Sequence, residues 1–385
     1  MSRIRTIASV LILFLPAIAL VTAFQNCAQP VPLDSGTSLG SSNARPTPKP
    51  GDVPGPSGDP LPPSNGNPSS SGWEGTCTAD NTKEPMSWGV GTDSGYGVLT
   101  AFVKGESVAL WFHLQGLLSA RVCKMNGTGW TVKGMADVDG VFPKDVIWRN
   151  ADGRVAIWRM QGSNRVSGAI LANTISSDWR LEGVADLDGD NREDLIWRHN
   201  DGRIHAWIMN GAQVSAASDI GNLATNWRLR GVGDFDGDGK DDLLYREVAG
   251  AMGIWFMNGF AVKSYQAVTA TAPNANPTHG IKAAGDFDGD GKADLFFQNA
   301  DGQFFLWKMN GAVGFQPNIT FANWIYTVNS TQLITVDGYT DMILTGTVSG
   351  TTYLYVQTMR NLMPEVRYTT GEIQPGWTIF TFDRL

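Results

Sequence analysis

The feature that most constrains the fold is a segment that recurs at intervals of roughly 50 residues, a spacing typical of repeat architectures. Four copies begin at Trp130, Trp179, Trp227 and His279, and a weaker copy begins at Trp324, where it keeps "VDGYTDMIL". One copy is too short to bury its own apolar face, so neighbouring copies are expected to stack against one another. The chain should therefore form an array of similar units.

Each copy has the pattern of four short strands. In the second copy, "LEGVAD" leads into an acidic loop, "DLIWRH" follows, and Asp201-Gly202 is a hairpin signal before "RIHAWIM". An Asn-Gly pair then turns the chain into a fourth strand. A four-stranded unit of this length is typical of a propeller blade. The abundance of glycine and tryptophan also favours an all-β fold.

The two ends of the repeat region are predicted to complete a ring. Residues 97–129 resemble strands two to four of a blade, and "WTIFTFDRL" from Trp377 resembles a first strand with nothing after it. Joining them closes a sixth blade and removes an exposed sheet edge. Trp88 in "MSWGVGTDSG" is an alternative source of that first strand. A seventh blade, the alternative architecture, would need about 48 more residues, and the lead-in segment 73–96 is too short to supply them.

The acidic loop of the third copy has the pattern of a calcium site. Its positions 1, 3, 5 and 9 are Asp234, Asp236, Asp238 and Asp242. Alternating residues of a tight turn direct their oxygens inward, which gives the hard oxygen cage that Ca²⁺ prefers. Lys240 at position 7 offers its backbone carbonyl, and Gly237 and Gly239 allow the tight backbone.

The same pattern returns in the second and fourth copies. In the second copy the four acids are Asp186, Asp188, Asp190 and Asp194, and Arg192 offers its backbone carbonyl. In the fourth copy the acids are Asp286, Asp288, Asp290 and Asp294, and Lys292 offers its backbone carbonyl. Asn191 replaces one glycine, and Asn tolerates the left-handed conformation. Because the pattern occurs in three copies, we interpret these loops as calcium sites, with about three ions in total, rather than as solvated acidic turns. Because four acids leave little room for a substrate, the ions are expected to be structural.

Two loops depart from this pattern. The first copy keeps three acids, Asp137, Asp139 and Asp145. Val141 replaces its third acid and Pro143 takes the carbonyl position, so we expect weak calcium binding or none. The weaker fifth copy retains only Asp337 and Asp341, and no metal is expected there.

The aspartate loops and the "WxMNG" strand ends resemble the FG-GAP/VCBS repeats of integrin-α-like β-propellers, which also occur in some fungal lectins. The resemblance covers residues 97–385. It implies a propeller with calcium in the loops between strands one and two of each blade. It does not identify a ligand, because this scaffold carries many functions.

Residues 1–26 have the pattern of an export signal, with Arg3 and Arg5 before a long apolar run; a retained membrane anchor is the alternative. Cys27 follows at once, which resembles a bacterial lipoprotein signal and implies attachment to a membrane through lipid. Ala28 then favours the outer membrane or cell surface. Cleavage after Ala23 is the competing hypothesis and makes the protein secreted or periplasmic.

Residues 27–72 are rich in proline, serine and glycine and cannot bury enough apolar surface to fold, so they are interpreted as a disordered tether. The two remaining cysteines, Cys77 and Cys123, are expected to form a disulfide in an exported protein. The net charge of −8, concentrated in the acidic loops, argues against a nucleic-acid partner.

Aromatic residues recur on the third strand at Trp111, Trp158, Trp207, Trp255 and Trp307. They are expected to fill the space between blades, with a ring of sugar-stacking platforms as the alternative. On the face opposite the calcium loops, the candidate ligand residues are Asn200, Asp201, Arg203, Asp301, Gln303, Trp179 and Trp227. These polar and aromatic residues suit binding of a glycan or a protein. The alternative is that they are there only because they form the hairpin turns. The long loop 264–280 lies on the same face.

The sequence contains no His-Glu-x-x-His, no Gly-x-Ser-x-Gly and no phosphate-binding loop. Its paired acids occur only in the calcium loops. The leading hypothesis is therefore a non-enzymatic binding or adhesion module. A structural envelope protein that docks other subunits is the alternative, and a propeller enzyme acting on glycans is less favoured.

Overall fold

The structure is a computed structural model. It describes residues 76–79, 98–104, 106–114, 117–270, 280–298, 303–315, 326–332, 339–373 and 377–379. In this part of the chain all regular secondary structure is β-strand, and no helix has the length and apolar character needed to span a membrane. The export signal, Cys27 and the tether lie outside the described residues.

The strands form six sheets, antiparallel except for one short edge pair, which are the blades of a six-bladed β-propeller. The prediction of six blades is confirmed and the seven-bladed alternative is wrong. Five sheets follow the five sequence copies, and we name them blades one to five. The sixth, which we call the closing blade, contains strands from both ends of the repeat region.

The first strands of the chain build the closing blade and blade one. In chain order they are β1 (Thr76–Ala79), β2 (Val98–Lys104), β3 (Ser107–Leu114), β4 (Leu117–Lys124), β5 (Trp130–Ala136), β6 (Asp145–Asn150), β7 (Arg154–Gln161) and β8 (Asn164–Thr174). Blades two and three contain β9 (Trp179–Ala185), β10 (Asp194–His199), β11 (Arg203–Met209), β12 (Val214–Asn222), β13 (Trp227–Gly233), β14 (Asp242–Glu247), β15 (Met252–Asn258) and β16 (Ala261–Ala267).

Blades four and five and the last strand complete the ring. These strands are β17 (Thr269–Ala270), β18 (Gly280–Gly285), β19 (Asp294–Gln298), β20 (Phe304–Asn310), β21 (Val313–Phe315), β22 (Tyr326–Gln332), β23 (Asp341–Val348), β24 (Thr351–Arg360), β25 (Met363–Ile373) and β26 (Thr378–Ile379). β17 is an extra strand of blade four and pairs in parallel with β21.

The C-terminus supplies the first strand of the closing blade. β26 pairs with β2 through Phe102↔Ile379 and Val103↔Thr378, so the ring is closed by a strand from the far end of the chain. Trp88, the alternative source, lies outside the described residues. On the outer edge of the same blade, β1 adds a fifth strand by pairing with β4.

The expected disulfide joins this added strand to the blade. Cys77 and Cys123 face each other in the β1–β4 register and are bonded, with a sequence separation of 46 residues. Replacing Cys77 by serine should lower the free energy of unfolding by about 4 kcal/mol, because the open chain regains the entropy of that loop. Chemical denaturation of the oxidised protein and of the Cys77→Ser variant measures this. Equal midpoints would contradict it.

Large rings fill the space between blades. The third-strand tryptophans of blades one to four are at most 7% exposed, and each packs on a second-strand ring of its own blade. The pairs, at centroid distances of 4.6–5.3 Å, are Trp148–Trp158, Trp197–Trp207, Tyr245–Trp255 and Phe297–Trp307. One apolar cluster contains residues from both blade one and blade two. Core packing is therefore confirmed for these rings, and their buried faces exclude sugar stacking. The side chain of Trp111 lies outside the described part.

Candidate metal centres

The first aspartate of each intact loop folds the loop around itself. In blade two, Asp186 Oδ1 accepts the backbone N–H of Gly189 at 2.8 Å, and Asp186 Oδ2 accepts that of Asn191 at 2.9 Å. Gly189 and Asn191 both have positive φ, at 81° and 65°. The predicted left-handed role of Asn191 is confirmed. The first aspartates of the other two loops, Asp234 and Asp286, accept equivalent bonds.

Three carboxylates converge in each of the three intact loops. In every group, one ligand oxygen per residue lies within 4.8 Å of the others. The groups are Asp186, Asp188 and Asp194 in blade two; Asp234, Asp236 and Asp242 in blade three; and Asp286, Asp288 and Asp290 in blade four. These donor sets contain only carboxyl oxygens and, when all three groups are ionised, place three negative charges at close range. They fit a hard cation such as Ca²⁺.

Three predicted ligands stand apart from these groups. Asp190 pairs with Arg192 at 2.7 Å, and Asp238 pairs with Lys263. Asp294 is engaged by backbone N–H groups. The position-seven residues Arg192, Lys240 and Lys292 each donate a backbone N–H to the position-five carboxylate at 2.9–3.0 Å. Ligation by their carbonyl oxygens stays a prediction.

The last aspartate of the loop is a structural anchor as well as a candidate ligand. Asp194, Asp242 and Asp294 are fully buried. One oxygen of each accepts an N–H from the third strand, at Met209, Met257 or Met309, and the other accepts an N–H from loop position two. Asp145 and Asp341 make the same bond to Met160 and Met359. This anchoring bond explains why blade five keeps Asp341. Its loop retains just one other aspartate of the pattern, Asp337, which lies outside the described residues.

Burial makes these carboxylates costly to ionise without a cation. Desolvation raises the pKa of Asp194 and Asp294 to about 8 and that of Asp242 to about 7. Burial also raises the pKa of Asp234 and Asp286. A bound divalent ion would favour the ionised forms and offset this cost.

The stability of the calcium-free protein should fall as pH rises from 5 to 8. In the folded state these buried carboxyls hold protons up to pH 7–8, whereas in the unfolded chain they lose them near 3.8. The folded state therefore binds more protons across this window, and raising the pH favours unfolding. Melting curves of calcium-stripped protein at pH 5 and pH 8 measure the effect. Saturating calcium should reduce the slope, and a higher melting temperature at pH 8 without calcium would contradict the assignment.

The loop of blade one differs as the sequence predicts. Val141 and Phe142 replace the acidic tip and are 53% and 37% exposed. Burial raises the pKa of Asp137 to about 6 and that of Asp145 to about 8. The remaining acid, Asp139, forms an ion pair with Arg159 of β7. Weak calcium binding or none remains the prediction for this loop.

Each loop is also a joint between neighbouring blades. A backbone hydrogen bond of 2.6–2.8 Å joins each loop of blades two to five to the loop of the preceding blade. Its donor is the N–H of the residue before the last aspartate, and its acceptor is the backbone carbonyl of the first aspartate in the preceding loop. The pairs are Glu193→Asp137, Asp241→Asp186, Ala293→Asp234 and Thr340→Asp286. A second backbone bond runs from Gly211, Gly259, Gly311 and Leu362 to loop position two of the preceding blade. The loops therefore connect five consecutive blades in series.

Asp241 has a role that sequence reasoning missed. Its carboxylate accepts the backbone N–H of Asp186 in the preceding blade at 2.9 Å. Glu193 does the same for Asp137 at 2.7 Å. The acid lies outside its own loop's carboxylate group, as expected, because it closes the loop next door. The sequence signal for this role was an acidic residue directly before the last aspartate of the loop. It could not be interpreted from one repeat, because its hydrogen-bond partner belongs to the preceding repeat.

The opposite face carries a cluster centred on Trp179 of blade two. His199 and His205 lie at ring-centroid distances of 4.8 and 5.6 Å from Trp179, and the Arg203 guanidinium lies 5.3 Å from the same ring. Asp201 contacts His199 at 2.6 Å and Arg203 at 3.0 Å. The structure therefore brings together three of the predicted ligand-face residues.

Part of this cluster serves the hairpin itself. Asp201 Oδ1 accepts the backbone N–H of Arg203 at 3.1 Å, and Asp152 does the same for Arg154 in blade one. The other candidates, Asn200, Gln303 and Trp227, are on the same face but outside this cluster. Asp301 lies outside the described residues, as do residues 271–279 of the long loop.

Together these features define a six-bladed propeller with three carboxylate loops on one face. A family model for the FG-GAP-like repeat matches residues 186–245 and 234–297. The chain therefore carries FG-GAP-like repeats, centred on the loops of blades two to four. No curated protein matches the chain.

The chain shows a distant similarity to solved structures. The chain is 13% identical to AofleA from Arthrobotrys oligospora, with a TM-score of 0.40 over 77% of this chain and 92% of that one. It is 12% identical to the computationally designed Ika8 protein, with a TM-score of 0.37 over 73% and 88% of the two chains.

Proposed function

We propose that this protein is an exported, surface-displayed, calcium-stabilised propeller that acts as a non-enzymatic binding module for a glycan or protein. The observation that carries the proposal is the placement of three carboxylate groups at successive joints between blades. Ions held there stabilise the ring, and the opposite face is left available for a ligand.

The calcium assignment rests on chemistry and on position. Each group offers three carboxylates within 4.8 Å, which repel one another strongly unless a cation lies among them. Backbone N–H groups of the loop hold the first aspartate of each group, and a backbone bond from the next blade is accepted by the same residue. We therefore assign such an ion a structural role rather than a catalytic one.

Export is supported by three features of the chain. The Cys77–Cys123 disulfide is typical of an oxidising compartment. The apolar segment of residues 1–26 has the pattern of an export signal, and Cys27 after it resembles a lipidation site. With the tether of residues 27–72, this arrangement would hold the propeller away from an outer membrane or cell surface.

The Trp179 cluster is the best candidate for the ligand surface. Asp201 and Arg203 are about half exposed, and they border an aromatic ring with two imidazoles beside it. Planar polar groups around an aromatic ring suit a sugar ring or a protein side chain. We place ligand contact at Trp179 and Arg203.

A glycan array and a pull-down from envelope extracts, both in the presence of calcium, test the proposal. The expected result is a specific ligand whose binding falls at least tenfold on Arg203→Ala. Lys240→Ala, on the face of the calcium loops, should leave that binding unchanged. Absence of any ligand, or equal loss in both variants, would contradict the assignment of this face.

A further inference from the structure

In blades one to four, the register of the third strand places the residue after its tryptophan next to the acidic loop. The four residues at this register are Arg159, Ile208, Phe256 and Lys308. The next residue in each case is the methionine whose N–H binds the buried loop aspartate. In blades two and three the position is apolar and buried, since Ile208 is 8% and Phe256 is 3% exposed. In blades one and four it is a cation.

In blade one this cation compensates for a defective loop. Arg159 contacts Asp139 through both Nε and Nη2, and the Asp139 side chain is only 10% exposed. The guanidinium has a fixed planar geometry that suits a carboxylate. The blade that lacks an acid at Val141 thus has a positive charge of its own at the loop.

In blade four a cation contacts an intact loop. Lys308 Nζ contacts Asp288 and lies 2.9 Å from Asp290. Both acids belong to the converging group of that blade, and the Asp288 side chain is 10% exposed. An ammonium on a flexible stem can leave when a divalent ion arrives, but the ion must then displace it.

Blade three also has a lysine near its loop, but in a different position. Lys263 belongs to the fourth strand and contacts Asp236 and Asp238. All three side chains are about one third exposed. Such a solvated pair holds its partner weakly, so Lys263 should compete with calcium less than Lys308 does.

We propose that the residue after the third-strand tryptophan determines how each loop is neutralised. Arg159 takes the place of the metal in blade one, and Lys308 competes with calcium in blade four. The inference rests on the calcium binding set out under Proposed function. It predicts three ions, with the site of blade four weaker than those of blades two and three.

Calcium titration by isothermal calorimetry and melting curves of the whole protein test the role of Lys308. Lys308→Met should leave the number of ions at three and tighten the weakest site by about threefold to tenfold. It should lower the melting temperature of calcium-stripped protein and raise that of calcium-saturated protein. Lys263→Met is the matched control and should change affinity less. Unchanged affinity in Lys308→Met would overturn the role of Lys308.

Arg159→Met tests the other half of the inference. It should lower the melting temperature of calcium-stripped protein, and Arg159→Lys should restore most of the loss. No effect of Arg159→Met, or four ions bound to the wild-type protein, would overturn the role of Arg159. If the wild-type protein binds no calcium, the calcium assignment itself is wrong, and this is known before any variant is made.

Discussion

Removal of calcium should lower the melting temperature of the propeller by roughly 15 °C. At a calcium concentration one hundred times the dissociation constant, one ion stabilises the folded state by about 2.7 kcal/mol. Three such sites contribute roughly 8 kcal/mol, and each kcal/mol shifts the melting temperature of a protein of this size by about 2 °C. Calorimetric scans with calcium and after chelation measure the shift.

The effect should be cooperative because the loops are joints between blades. The first aspartate of each intact loop accepts a backbone bond from the next blade, as in Asp241→Asp186 and Ala293→Asp234. Loss of one ion therefore loosens an interface as well as a loop. Magnesium should restore little of the stability, since it demands stricter geometry and keeps more of its water. Melting curves that superimpose with and without chelator would refute the stabilising role.

Asp242→Ala should destabilise the protein by about 3–6 kcal/mol in calcium. The substitution leaves the buried N–H groups of Phe235 and Met257 without an acceptor, which costs about 1–3 kcal/mol each. It also removes one carboxylate from the group of blade three. Chemical denaturation with and without calcium separates the two contributions.

Asp341→Ala in blade five is the matched control for this variant. Asp341 is equally buried and binds Met359 in the same way, but it is in none of the three converging groups of the described residues. Its cost should therefore be the same with and without calcium, whereas Asp242→Ala should lose more in calcium. Equal calcium dependence in the two variants would show that Asp242 acts only as a strand anchor.

The architecture was accessible from sequence because the repeat itself carries the information. The spacing of the copies and the partial blades at 97–129 and after Trp377 predict both the number of blades and the closing strand. β26 then pairs with β2 as expected. The extra strands β1 and β17 were not predicted, since a short strand on a sheet edge depends on pairing with a distant segment and has little pattern of its own.

The candidate sites were only partly accessible. The positions of the loop aspartates predict converging oxygens, and three groups do converge. What the pattern cannot show is competition for the same oxygens by nearby cations. Asp190 and Asp238 pair with Arg192 and Lys263. The position of Asp294 has no such cause, since Asp194 and Asp242 accept the same backbone N–H bonds and stay in their groups.

The contacts between blades were also beyond sequence reasoning. The bond from Asp186 to Asp241 joins two repeats, and the bond from Asp137 to Glu193 joins another two. Both depend on the register in which elements dock. A repeat pattern defines each unit, but it does not specify which side chains of neighbouring units meet.

The most direct test is a crystal structure of the protein grown with calcium, with anomalous diffraction data collected at long wavelength. We predict three calcium peaks, one within each carboxylate group of blades two, three and four, and none in the loop of blade one beside Arg159. Absence of peaks at Asp186, Asp234 and Asp286 under saturating calcium would contradict the account.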